Sequence, residues 1–235
     1  MEIIYEDREI VVCHKEPGVP VQTKAVGQQD MVSRLKNYFA DKGGNTEIFV
    51  IRRLDQPVEG IMVFARSSQA AAVLNRQVQE RSVEKSYFAI IEGEFEKPTG
   101  ILENYLLRDG KSNTSKVVSK ETKGAKLARL SYEVKKVITK SEGLSLISGM
   151  WRDDENEAVS LLHVYLDTGR HHQIRVQMAH AGHPLVGDKK YNKNCPKGYL
   201  PIGLCSVKTS FFHPRTGERM EFAVKPKGAL FAKLL

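Results

Sequence analysis

Residues 48–65 read IFVIRRLDQPVEGIMVFA, and the fold of the chain turns on this stretch. Two short apolar runs, 48–51 and 61–65, flank a polar elbow, Arg52-Arg53-Leu54-Asp55-Gln56-Pro57-Val58-Glu59-Gly60. Runs of four or five apolar residues bounded by turn formers predict strands. Pro57 and Gly60 fix the turn, so Asp55 is presented from a rigid elbow, as suits a carboxylate facing a cleft. On spacing alone, Asp55 also reads as an ordinary turn residue.

Working outward, 3–5 and 10–13 predict a strand pair, and Asp30 caps a helix over 31–39 with Leu35 and Phe39 on one face. Ser67-Ser68 begins a helix to about Gln79, with Ala70, Val73, Leu74 and Val78 as its apolar stripe. Residues 86–92 read as a strand buried on both faces, ended by Lys97-Pro98-Thr99-Gly100. Alternation at Leu130, Tyr132 and Val134, and at Leu162, Val164 and Leu166, predicts half-buried strands. A helix is expected over 171–181, with Ile174 and Met178 stacked and Gly182 at its end. Further strands are expected at 204–207, 210–212 and 220–224. Strands outnumber helices without regular alternation. The expected class is therefore α+β, with a mixed, mainly antiparallel sheet and flanking helices.

The 235 residues, 41% hydrophobic and 27% charged, suffice for one globular domain or two small ones. A single domain over 1–235 is expected, since no repeat or long linker interrupts the chain. Unbroken apolar runs reach only five residues, against about 20 for a membrane-spanning helix. The N-terminus does not read as a signal peptide. Cys13, Cys195 and Cys205 are an odd number with no C-x-x-C pair, which points to a reducing, cytoplasmic setting. A monomer is the default expectation.

The net charge is +8, and residues 108–140 carry most of it, with ten Lys/Arg against Asp109, Glu121 and Glu133. Such a run is either a solvated face or a surface for a polyanion such as RNA. G-x-G-x-x-G, the P-loop and the G-x-S-x-G elbow are all missing, so nucleotide cofactors and serine nucleophiles lack support. His171, His172, His180 and His183 lack metal-site spacing, and no metal is expected. Residues 168–176, TGRHHQIRV, pass from a Thr-Gly turn into the expected helix, and donors at a helix start suit an anionic group.

Taken together, these segments resemble the RluA-type RNA pseudouridine synthases from about residue 5 to 226. The matches, in the family's order, are Arg53-Leu54-Asp55 with Gly60, Lys85-Ser86-Tyr87, and Gly169-Arg170-His171-His172-Gln173-Ile174-Arg175. Gly182-His183-Pro184-Leu185-Val186-Gly187-Asp188 and His213-Pro214-Arg215-Thr216-Gly217-Glu218 follow. Arg52 replaces the family's usual His, Val58-Glu59 its Thr-Ser, and Gln177 another His. Glu59 sets a second carboxylate near Asp55 in sequence. The resemblance also leads us to expect no separate N-terminal RNA-binding domain.

The resemblance implies conversion of uridine in rRNA or tRNA to pseudouridine without a cofactor. Asp55 is then the expected nucleophile, Tyr87 the residue that stacks on uracil and moves a proton, and Arg175 the cation that keeps Asp55 ionised. Extruding a base costs a few kcal/mol, and the resemblance assigns its support to Arg53. Ile174 is expected against the base or Tyr87, and Arg170, His171 and Gln173 at the RNA backbone. Competing readings are a non-catalytic RNA-binding protein on the same fold and a hydrolytic glycosidase, which needs two placed carboxylates.

Overall fold

A computed structural model describes residues 1–25, 27–139, 158–195 and 201–235. These form two compact units. The first comprises residues 1–85 and 206–226, the second 86–205 and 227–235.

The first unit is built on β1 (Glu2–Glu6), β2 (Ile10–Lys15), β3 (Phe49–Val50) and β4 (Glu59–Ala65), with β10 (Leu204–Phe212) and β11 (Arg219–Ala223) joining later in the chain. The order is β1-β2-β4-β10, with β3 also on β4 and β11 on β10. β1–β2, β2–β4, β3–β4 and β10–β11 are antiparallel. Successive strand residues point to opposite faces, and each face has its own helix. Val11 and Cys13 of β2 and Met62 and Phe64 of β4 pack with Leu35 and Phe39 of α1 (Met31–Asp41). Ile10, Val12, Ile61 and Ala65 pack with Ala70, Ala71 and Leu74 of α2 (Ser68–Gln79). Two covered faces explain why these strands read as continuous apolar runs.

Both helices start where the sequence predicts. The Asp30 carboxylate accepts from the Ser33 N–H, and the Ser67 hydroxyl from the Ala70 N–H, each satisfying a donor left over at a helix start. The single strand β10 replaces the two short strands expected at 204–207 and 210–212. Its alternate residues are buried on both faces, so no polar break divides it.

The second unit orders its strands β5-β9-β8-β6-β7. These are β5 (Glu84–Glu92), which begins within the first unit, β6 (Thr99–Asp109), β7 (Thr114–Val118), β8 (Lys126–Thr139) and β9 (Ala158–Leu166). The pairings β5–β9, β8–β9, β6–β8 and β6–β7 are antiparallel. The expected α+β class therefore holds. The hairpin β6–β7 occupies part of the basic stretch. Its turn forms because Asp109 accepts from the Lys111 N–H and the Ser112 hydroxyl, while Asn113 takes a positive φ of 50°.

The helix expected over 171–181 is shorter, α3 (Gln173–His180). His172 adopts the left-handed conformation at φ 54°, which keeps Arg170, His171 and His172 in the preceding turn. Gly182, at φ +88°, follows its end as expected.

Candidate active site

The elbow in the first unit is held from below by Lys15. This residue ends β2 opposite Gly60 and is completely buried. Its ammonium donates to the carbonyls of Glu16 (3.0 Å), Val19 (2.8 Å) and Gln56 (2.9 Å), which accounts for all three of its N–H donors. The Gln56 carbonyl also accepts from the Gly18 N–H at 2.9 Å, and the Gln56 amide donates to the Gly18 carbonyl at 3.0 Å. Dehydration pulls the Lys15 ammonium down to about 8, against the opposing pull of the negative charges on Asp55, Glu59 and Glu16. Lys15 was not singled out in the sequence, where it is one lysine among many.

The elbow closes with the Val58 N–H on the Asp55 carbonyl at 3.0 Å. Leu54 packs into the core over α1, Arg53 is exposed, and Asp55 is half-buried. Gly60 has a φ of +123°, and a Cβ there would sit 2.2 Å from the Ser206 carbonyl oxygen. Only glycine allows β10 to approach this closely. The second carboxylate, Glu59, is buried, with His14 Nε2 at 3.6 Å from it.

In the second unit, Tyr87 is buried on β5 opposite Val164. Arg175 is buried on α3, and its Nε and Nη2 donate to the two carboxylate oxygens of Asp188, each at 2.7 Å. Asp188 Oδ1 also accepts from the N–H of Lys190 at 3.0 Å and of Tyr191 at 3.3 Å. The Tyr191 ring lies 5.2 Å from the Arg175 guanidinium carbon. Its hydroxyl meets His172 Nδ1 at 2.7 Å and accepts from the Ser115 N–H at 2.8 Å. Sequence reasoning gave Asp188 and Tyr191 no role at the site, because both lie more than a dozen residues beyond Arg175.

The residues expected at RNA divide into two groups. Gln173 is buried, and its amide accepts from the Thr168 hydroxyl and the Arg170 N–H and donates to the Arg129 carbonyl. It fastens the 168–170 turn to β8. Ile174 is buried, which suits packing. Arg170 is less covered, with its Nε on the Leu127 carbonyl, and His171 meets Ser115 and Asn113. Gln177, which departs from the family pattern, is buried and donates to the Leu102 carbonyl at 3.0 Å and to Asn104 Oδ1 at 2.9 Å, tying α3 to β6.

The basic stretch is on the surface. Lys111, Lys116, Lys120, Lys123 and Lys126 are exposed and have no ion-pair partner among the described residues. By contrast, Arg129 pairs with Glu103 and Asp167, and Lys135 with Glu133. Lys140 lies outside the described residues.

The architecture is shared with solved pseudouridylate synthase domains. Human RNA pseudouridylate synthase domain containing 1 superimposes with a TM-score of 0.74 at 20% identity, covering 96% of this chain and 83% of that one. A family model described as RNA pseudouridylate synthase matches residues 9–180. The chain is 31% identical to the dual-specificity RNA pseudouridine synthase RluA of Vibrio vulnificus, over 92% of its own length and 79% of the relative's. It is 30% identical to an uncharacterized RNA pseudouridine synthase of Aquifex aeolicus, over 96% and 69%. The chain belongs to the RNA pseudouridylate synthase family, as a member of the RluA type, and so to a class of isomerases. Among the described residues, no helix is long and apolar enough to cross a membrane.

Proposed function

We propose that this chain isomerises one or more uridines in structured ribosomal or transfer RNA to pseudouridine, with Asp55 as nucleophile and no cofactor. The observation that carries the reading is the elbow itself. A half-buried carboxylate stands on an elbow whose Gln56 carbonyl is tied to a buried ammonium, which also holds the carbonyls of Glu16 and Val19. Positioning to within about half an ångström is what nucleophilic attack on a sugar carbon requires.

In this reading the C1′–N1 bond breaks, the uracil turns, and C5 bonds to C1′. The C5 proton leaves and N1 gains one, so nothing is oxidised or hydrolysed. Tyr87 offers a ring to stack on the uracil and a hydroxyl for the proton step. Arg175, oriented by Asp188, supplies a cation to the reaction, and Arg53 fills the space left by the extruded base. Residues 1–235 act as one catalytic domain, working as a monomer in the cytoplasm, where three free cysteines are compatible with a reducing medium.

Relatives named for the large ribosomal subunit and for transfer RNA, a ribosomal large subunit pseudouridine synthase C of Buchnera aphidicola and a tRNA pseudouridine synthase C of Haemophilus influenzae, favour those two RNA classes as substrates. The test is to map pseudouridines in ribosomal and transfer RNA from a strain lacking this gene, before and after incubation with the purified protein. Sites that are absent before and present after identify the substrate. RNA that gains none, from a strain that has lost none, contradicts the reading.

A further inference from the structure

Beside the elbow, within the first unit, lies a cavity with apolar walls from Ile61 and Val63 of β4, Leu74 and Val78 of α2, and Phe211 of β10. Arg52, Arg53 and Lys85 line the same cavity, and no carboxylate does. None of these three cations has an ion pair or a side-chain hydrogen bond among the described residues.

Such an arrangement is costly. Like charges at one cavity repel, and the apolar walls keep part of the screening water from the half-buried Arg52 and Lys85, while Arg53 is exposed. The cost shows in Lys85. Dehydration pulls its ammonium down to about 7, and the Arg52 charge pushes in the same direction. Arg175 is paired with Asp188, whereas the lining of this cavity offers Lys85 no carboxylate.

We propose that the mouth of this cavity, lined by Arg52, Arg53 and Lys85, binds a phosphate group. Guanidinium forks match the oxygens of phosphate in plane and spacing, and an ammonium supplies a compact third donor. The phosphate has two possible sources, an RNA phosphodiester or a free phosphate ion. The free-ion source is independent of the isomerase reading, whereas the phosphodiester source rests on it and shares Arg53 with it.

The test is NMR titration of Lys85 in protein labelled at the lysine ε-carbon, with its signal assigned by its loss in Lys85→Met. In chloride, Lys85 is expected to titrate at about 7. Inorganic phosphate at equal ionic strength is expected to move the midpoint up by at least about one pH unit, a tenfold gain in proton affinity. In Arg52→Gln the chloride midpoint rises, because a like charge has gone, and the response to phosphate shrinks. Addition of an RNA oligonucleotide then separates the sources. If bound RNA abolishes the phosphate response, the site belongs to the RNA backbone; if the response persists, it belongs to a free anion. A Lys85 midpoint that is the same in phosphate and in chloride overturns the proposal. The readout needs no turnover, so that failure is distinct from a failure of the isomerase reading.

Discussion

Arg175 grips Asp188 by two parallel hydrogen bonds, Nε to Oδ2 and Nη2 to Oδ1, both 2.7 Å long and both buried. The fork fixes the plane of the guanidinium, and two backbone N–H groups fix the carboxylate in turn. A cation proposed to act on a substrate or a nucleophile is thereby held in one orientation.

Removing one member of a buried pair strands the other, at about 3–5 kcal/mol. Asp188→Ala is therefore expected to lower the urea-unfolding stability by about that amount and to lose turnover. The double variant Arg175→Met/Asp188→Leu, apolar on both sides, should regain much of the stability and none of the activity. A full-strength enzyme carrying Asp188→Ala would contradict a positioning role.

Lys15 makes stability depend on pH in a stated direction. Its folded midpoint, about 8, lies below the ordinary 10.5. Between these values the unfolded chain holds a proton that the folded chain has released, so unfolding takes up a proton and stability rises with pH. Below pH 8 the penalty of burying the ammonium is present in full. The stability difference between wild type and Lys15→Met should therefore grow in favour of wild type from pH 8 to 10.5, as read from urea midpoints. A difference flat across that window would contradict the assignment.

The exposed lysines of the hairpin and the turn after it are expected to bind RNA through its backbone, without reading sequence. Every phosphate that the protein no longer neutralises should flatten the log–log salt dependence by about 0.7–0.9. Reversing Lys116, Lys120 and Lys123 to Glu should weaken RNA affinity and reduce that slope. Affinity and slope that both stay put would assign these residues to a solvated face.

Tyr87→Phe keeps the ring and removes the hydroxyl. Binding of substrate RNA should survive, while turnover falls by roughly 10²–10⁴ if the hydroxyl moves a proton. Unchanged turnover would leave Tyr87 as packing in β5.

Much of the first unit was legible in the sequence because its signals are local. The caps at Asp30 and Ser67, the apolar runs on β2 and β4 and the Pro-Gly elbow each lie within a few residues of what they determine. The second unit hid its structure for identifiable reasons. In β6 and β7 the apolar positions are interleaved with Glu103, Arg108, Asp109 and Lys116, so the charges masked the strand period. In α3 six consecutive residues from Gln173 to Met178 are buried, which erases the helical stripe and makes polar side chains such as Gln173 and Gln177 part of the interior. Asp55 and Arg175 stood out by motif; Asp188 lay in a matched segment and Lys15 in none, and the fold alone shows that they hold the guanidinium and the elbow.

The most direct measurement is tritium release from RNA labelled at uracil C5, because that hydrogen leaves only when the new carbon–carbon bond is completed. The substrate is total RNA from a strain lacking this gene, so that the target uridine is present and unmodified. Asp55→Asn is nearly isosteric and a far poorer nucleophile. Wild-type protein should release tritium in the presence of a chelator. The folded Asp55→Asn variant should bind the RNA and release at least about 10³-fold less. Release from that variant at the wild-type rate would contradict Asp55 as the nucleophile.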